Sequence, residues 1–293
     1  MQVAVIGVGL MGSAIAGRLL DSGVSLHLYD RDPAQMAPLV ARGATAAASA
    51  RAATAGASHI IISLNSAAIV EQAVFGPDGV AQAPDAAKLL IDMSSIDAGR
   101  TATMAQRLRD ETGMGWVDAP LSGGAPAATQ GKLTLMVGGA TEDVDRALPV
   151  LDLLSANITR FGAPGAGQTV KLINQILCAN YFMAVAEAVR FAEAHGVDAT
   201  LIPAALAGGR ADSRILQEYM GKMARRDYSP TGRIDNMLKD LETVQASALA
   251  TRTPLPVTSL IADLHRMAVA GGLGAADSAA YMRLFDLDGD RPA

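Results

Sequence analysis

The stretch VAVIGVGLMG (residues 3–12) decides how the first half of the chain is read. It begins as a short, apolar, β-branched run ended by glycine, the pattern of a strand buried on both faces. A helix is predicted directly after it, from about Leu10 to Leu20. The glycines between strand and helix fall at GxGxxG spacing, and each has its own physical use. Gly7 permits the tight turn, Gly9 lets a pyrophosphate approach the backbone, and Gly12 lets helix and strand pack closely. The first helical turn, with Leu10 and Met11, offers unpaired N–H groups and a positive dipole end to an anion. Asp30 ends the second predicted strand, SLHLYD (25–30), where a ribose 2′-hydroxyl would be accepted. A carboxylate there suits NAD and repels the 2′-phosphate of NADP, so NAD is the expected cofactor. Arg31 beside it can stack on adenine or pair with a phosphate.

Outward from this motif, HIIISL (59–64), AKLLIDM (87–93), WVDAP (116–120), KLTLMVG (132–138) and ITRFG (158–162) read as further strands separated by Ala-rich helical stretches. That alternation predicts an α/β domain with right-handed crossovers, a Rossmann-type doubly wound parallel sheet. After APG (163–165) the pattern changes. From Ala166 to about His195 the periodicity is helical without a breaker, about 30 residues and about 45 Å. Helical segments follow near 198–207, 212–226, 233–251 and 256–270. The expectation is an NAD(P)-binding domain over 1–163 and an all-α substrate and oligomerisation domain over 164–293, built around a long interdomain helix. A helix so apolar on many faces belongs inside a domain or a subunit interface, which points to a homodimer or homotetramer.

With half its residues hydrophobic and 18% charged, the chain is globular and not disordered. The net charge of −5 and the absence of a Lys/Arg run argue against a nucleic-acid partner. The single cysteine, Cys178, sits in the apolar helix and reads as a core thiol; no Cys/His spacing resembles a metal site. The N-terminus lacks the basic segment of a signal peptide, and every long apolar run has polar interruptions, so no membrane span is expected and the cytoplasm is the expected location. His27, His59, His195 and His265 all read as structural, His195 by closing the long helix.

GAGQTVKLINQ (165–175) opens that helix, and its Lys171, Asn174 and Gln175 share one face. An ammonium half withdrawn from water there has its pKa pushed down, toward a value useful for proton transfer. DAPLSGGAPAATQGKLTLMVGG (118–139) adds Ser122, Gly123 and Gly124, a hydroxyl and backbone N–H groups that a flat carboxylate can approach. A solvated first turn would explain the lysine face alone, and a structural turn would explain SGG alone.

GVGLMG, DAPLSGG, GAGQTVKLINQ and MLKDLETVQA (237–246) stand in an order and spacing similar to those of the β-hydroxyacid dehydrogenases, such as 3-hydroxyisobutyrate dehydrogenase and tartronate semialdehyde reductase. The resemblance covers essentially the whole chain. It implies an oxidoreductase that moves a hydride between a nicotinamide cofactor and a small 3-hydroxy acid, with a lysine as general acid/base. By this resemblance Lys171 is catalytic; Ser122, Gly123 and Gly124 hold the substrate carboxylate; and Asn174 with Gln175, where the family often has Asn, orients the substrate. Lys239 and Asp240 resemble the pair that closes over the nicotinamide end, with Lys239 near the cofactor. Ser95 stands where the family usually has threonine beside the nicotinamide, and Leu64 and Asn65 match the loop near the cofactor ribose.

Gly232 departs from the pattern, since many relatives carry phenylalanine there. The loop GGRADSRIL (208–216) holds Arg210, Asp212, Ser213 and Arg214. Both features imply a substrate larger or more polar than 3-hydroxyisobutyrate, against the plainer reading of a solvated loop. Tartronate semialdehyde (2-hydroxy-3-oxopropionate) reductase and a serine or threonine dehydrogenase are the neighbouring alternatives. Imine reductases replace the lysine, decarboxylating 6-phosphogluconate dehydrogenases are longer, and a non-catalytic nucleotide sensor would need only the glycine fingerprint.

Overall fold

Val, Ile and Leu runs too apolar to face water assemble into one nine-stranded sheet in the computed structural model, which describes residues 1–286. Residues 287–293, the end of the expected second domain, lie outside the described residues. The strands are β1 (Gln2–Ile6), β2 (Ser25–Tyr29), β3 (Thr45–Ala46), β4 (His59–Ile62), β5 (Leu89–Asp92), β6 (Gly115–Asp118), β7 (Leu121–Ser122), β8 (Leu133–Gly138) and β9 (Ser155–Gly162). From β3 to β6 the spatial order is β3-β2-β1-β4-β5-β6, all parallel, with a topological switch between β1 and β4.

The doubly wound parallel sheet expected from the alternation is present through β6, and antiparallel pairing follows it. β8 pairs antiparallel with both β6 and β7, and β9 then pairs parallel with β8. β6 and β7 meet β8 in one continuous register (Asp118↔Gly138, Leu121↔Leu135, Ser122↔Thr134), so the chain reverses in the short connection between Ser122 and Leu133. The two-residue strands β3 and β7 carry no periodicity of their own and were not expected from the sequence.

Helices α1 (Leu10–Asp21), α2 (Pro33–Val40), α3 (Ala50–Ala53), α4 (Ala67–Phe75), α5 (Ala98–Thr112), α6 (Gly124–Thr129) and α7 (Thr141–Leu154) connect the strands. Asp32, Ser49, Ser66 and Asp97 cap α2 to α5 by accepting first-turn N–H groups. Strand alternation sends Val3 and Val5 to one face of the sheet, with Ile15, Leu19 and Leu151. Ala4 and Ile6 go to the other, with Ile60, Ile62, Leu108 and Trp116.

The chain divides into two compact units, Met1–Lys171 and Leu172–Ala293. The change of character at 163–165 therefore marks the end of the last strand, while the units part inside the long helix α8 (Ala166–Ala194). The second unit also contains α9 (Ile202–Leu206), α10 (Arg214–Ala224), α11 (Ile234–Thr251) and α12 (Pro256–Ala268). Ala179, Phe182, Met183, Ala186 and Val189 of α8 enter its core beside Met220, Met223, Leu241, Ile261 and Tyr281. By length and composition alone α8 would also pass for a membrane span, as a core helix can. Under half of its most apolar window is buried (44%), because a second apolar face with Ile173, Leu177, Tyr181 and Phe191 stays exposed.

Asp92 and Asp118 end β5 and β6 side by side in register. Asp92 is fully buried; its Oδ1 accepts from Ser94 N (3.0 Å), and its Oδ2 has no hydrogen-bond partner. Burial, with Asp118 adding to it, pushes the Asp92 carboxyl up to about 7. The folded protein thus keeps a proton that the unfolded chain loses near pH 4. The associated stability is fully present below that pH and is lost as pH rises through about 7. Asp92→Asn keeps the acceptor for Ser94 N and removes the titration. Thermal melts should show the variant's Tm changing less than the parent's between pH 5 and pH 8, by several degrees.

Candidate active site

The glycine turn is shaped by what a side chain would strike. Gly7 has φ +87°, and a Cβ there would overlap the Ser63 carbonyl oxygen. A Cβ on Gly12 would overlap the carbonyl oxygen of Gly7. At Gly9, by contrast, nothing lies within 4 Å of an added Cβ, so this side of the turn is open. Asp30 reaches across from the end of β2: its Oδ2 accepts from Val8 N (2.7 Å) and its Oδ1 from Asp32 N (2.9 Å). Each carboxylate oxygen retains further acceptor capacity.

Gly7, Gly9, Leu10, Met11, Gly12 and Asp30 are thus assembled around the carboxyl ends of β1 and β2, with the exposed Arg31 next in chain. The first turn of α1 carries no acidic side chain. An open glycine, a helix N-terminus and an adjacent carboxylate together fit a dinucleotide. Leu64 follows β4 with its side chain against Gly7 and its N–H donating to Ser94 Oγ (3.0 Å); the exposed Asn65 comes next. Ser95, half-buried, follows β5.

Ser122 ends β7, and Gly123 (φ +120°) and Gly124 (φ +67°) turn the chain through conformations that side chains rarely adopt. The half-buried Lys171 donates from Nζ to Leu121 O (2.9 Å), so its ammonium sits one residue from the SGG turn. Asp118 holds the start of α8: its Oδ1 accepts from Gly165 N (2.7 Å) and its Oδ2 from Gln168 N (2.9 Å). Burial raises the Asp118 carboxyl, and those backbone N–H groups oppose the rise.

In the second unit a separate polar group gathers around Asp240. Gln175, buried, donates from Nε2 to Asp240 Oδ2 and lies near Met237 Sδ. Asn174 Nδ2 donates to Gln175 Oε1 (2.9 Å), and Lys239 Nζ pairs with Asp240 Oδ1 at 3.1 Å. Asn174, Gln175, Lys239 and Asp240 are therefore joined, as are Lys171 and SGG in the first unit.

The loop 208–216 is largely occupied with its own shape. Asp212 accepts from Gly208 N, Ser213 caps α10 through Leu216 N, and Arg214 pairs with Glu218. Arg210 lines a cavity of about 800 Å³ with Tyr181, Phe191 and His195, on the part of α8 that runs away from Gln175. The turn before α11 is anchored by the buried Asp277. Its carboxylate accepts from Thr231 N (2.6 Å), Gly232 N (3.1 Å) and Ala279 N (3.0 Å), and pairs with Lys222 Nζ (3.3 Å). A Cβ on Gly232 would find only the Tyr219 hydroxyl, at 3.9 Å.

The sequence reading missed Ser94, Asp118 and Gln168 as parts of the site. Asp118 and Gln168 lie inside motifs quoted for their neighbours, but no spacing along the chain reveals that their partners are the ends of other strands.

Two family models match the chain. The NAD-binding domain of 6-phosphogluconate dehydrogenase covers residues 2–162, and one described as the NAD-binding domain of NADP-dependent 3-hydroxyisobutyrate dehydrogenase covers 165–285. The chain is 36% identical to the 2-hydroxy-3-oxopropionate reductase of Escherichia coli K12, over 98% of each. It is 34% identical to the NAD-dependent L-serine dehydrogenase of Pseudomonas aeruginosa, over 97% of this chain and 98% of that one. A crystal structure described as 3-hydroxyisobutyrate dehydrogenase from Salmonella typhimurium superposes with a TM-score of 0.86 at 33% identity, covering 97% of this chain and all of the other.

Asp30 braces the glycine turn by accepting from Val8 N, at the end of the second strand, where this type of fold carries a ribose-binding acid. Asp30→Ala should weaken NADH binding at least tenfold, the loss of about 1.5 kcal/mol expected for a charge-assisted hydrogen bond. Binding of NADPH should change less. Fluorescence titration with both cofactors measures each effect.

Proposed function

This chain belongs to the β-hydroxyacid dehydrogenase family, and on that premise we propose that it acts on a small, polar 3-hydroxy acid or its oxo form, with NAD as cofactor and Lys171 as general acid/base. It is an NAD(P)-dependent oxidoreductase of the CH–OH group of a hydroxy acid. When bound, the nicotinamide supplies the acceptor or donor of a hydride. The chain's own residues handle the proton and the orientation of the substrate. Lys171 Nζ takes the proton from the substrate hydroxyl in oxidation and returns it in reduction. Ser122 Oγ and the backbone N–H groups at Gly123 and Gly124 bind the substrate carboxylate. Asn174 and Gln175 orient the substrate, and Asp240 fixes the Gln175 amide. Leu64, Asn65, Ser95 and Lys239 serve the cofactor, beside the glycine turn, Asp30 and Arg31.

The observation that supports this reading most is the hydrogen bond from Lys171 to Leu121 O, which ties the ammonium to the strand ending in SGG. A polar substrate is favoured by the relative named 2-hydroxy-3-oxopropionate reductase and by the open space at Gly232. A β-hydroxy amino acid is the second reading, favoured by the relative named L-serine dehydrogenase. Asp30 favours NAD over NADP. The exposed apolar face of α8, with Phe191 at 69% exposure, favours a homodimer or homotetramer.

Absorbance at 340 nm with a panel of 3-hydroxy and 3-oxo acids tests the substrate and cofactor together. The expected result is a kcat/KM for 2-hydroxy-3-oxopropionate with NADH at least tenfold above that for 3-hydroxyisobutyrate with NAD. A preference for 3-hydroxyisobutyrate would overturn the substrate reading. Lys171→Ala should lose about 10³-fold in turnover while still binding NADH; turnover within about tenfold of the parent refutes its role. Phe191→Asp should shift the sedimentation coefficient toward the monomer, and an unchanged value would remove α8 from the interface.

A further inference from the structure

We propose that Gln168 is a positioning residue whose buried side-chain amide fixes the Ser94–Ile96 segment, and Leu64 through it, against the turn of α8 that carries Lys171. The inference rests on the reading of Lys171 as the proton-transfer group.

Gln168 is 1% exposed and uses both ends of its amide. Nε2 donates to Ser94 O (2.8 Å), and Oε1 accepts from Ile96 N (3.1 Å). One side chain therefore grips the backbone on either side of Ser95. Ser94 passes the connection on, its Oγ accepting from Leu64 N (3.0 Å) and its N–H donating to Asp92 Oδ1 (3.0 Å). Gln168 is itself held by its backbone N–H on Asp118 Oδ2. The hydrogen bonds thus join the carboxyl ends of β4, β5 and β6 to the first turn of α8. Carboxyl ends of parallel strands are where open α/β sheets place their ligands. Lys171 follows Gln168 by three residues, on the neighbouring part of the same helix face.

The amide is the side chain this position requires. A hydrocarbon of the same length would leave Ser94 O and Ile96 N buried without partners. A carboxylate would keep the acceptor but turn its second oxygen on Ser94 O, with Asp92 and Asp118 on the adjoining strand ends and Lys171 on its own helix. Close packing leaves little room for the clamp to relax: a Cβ on Gly167 would meet Asp118 Oδ2 at 2.8 Å, and one on Gly138 would meet Asp118 Oδ1 at 2.6 Å.

Steady-state kinetics of the parent, Gln168→Met and Gln168→Glu from pH 6 to pH 9, with NADH titrations and thermal melts, test this. Gln168→Met should bind NADH and keep its KM for the hydroxy acid within about threefold of the parent, while kcat falls at least 30-fold. In Gln168→Glu only the protonated acid can donate to Ser94 O, so its kcat relative to the parent should rise as pH falls. A merely structural role would lower Tm and leave kcat within about threefold, and that result overturns the inference, as does a flat pH ratio for Gln168→Glu. Should Gln168→Met not fold, the pH ratio of Gln168→Glu decides alone. A parent inactive on every substrate with NAD and NADP would bring down the functional reading and this inference with it. An active parent beside an unimpaired variant overturns the inference alone.

Discussion

The buried carboxylate of Asp118 holding the first turn of α8 is the interaction on which the candidate site depends. A helix N-terminus carries unpaired N–H groups and the positive end of a dipole, and a carboxylate at the end of a buried strand satisfies both. Gly165 N and Gln168 N reach it only because Gly138 and Gly167 present no side chain in the way. The start of α8 is thereby pinned to β6, and Lys171 inherits its place beside the SGG turn that follows the same strand. Glycines, a buried acid and a lysine separated widely in the chain form one mechanical unit.

Next to it lies a carboxyl that burial pushes up to about 7. Asp92 and Asp118 stand in register on neighbouring strands, and two charges so close in so dry a place repel strongly. Asp118 has backbone donors on both oxygens, whereas Asp92 meets only Ser94, and its Oδ2 has no hydrogen-bond partner among the described residues. Burial raises both carboxyls, and the backbone donors of the helix oppose the rise at Asp118. The difference between the two follows from the donors each side chain meets and not from its residue type.

Much of the fold was legible in the chain because it is written in local pattern. VAVIGVGLMG shows a buried strand, a turn and a helix within ten residues, and the unbroken apolar periodicity after Ala166 shows α8. The turn from parallel to antiparallel at β8 was not legible, since it is made in the short connection between Ser122 and Leu133, whose glycines and small helix carry no strand periodicity. Within the site, Lys171 and SGG stood out by residue type and by family resemblance. Gln168, Ser94 and Asp118 did not, because each is defined by a backbone group far away in the chain. The loop 208–216 shows the same limit: Asp212, Ser213 and Arg214 cap and brace their own loop and helix through partners that residue type alone does not mark.

Asp277 has a consequence for how such enzymes diverge. By binding the amides of Thr231 and Gly232 it dictates the path of the turn before α11 without help from any side chain at 232. Backbone shape and side-chain identity are uncoupled there, and the position works like a socket into which a ring, a methyl or nothing can be plugged. The side chain at 232 can therefore be exchanged while the scaffold stays as it was.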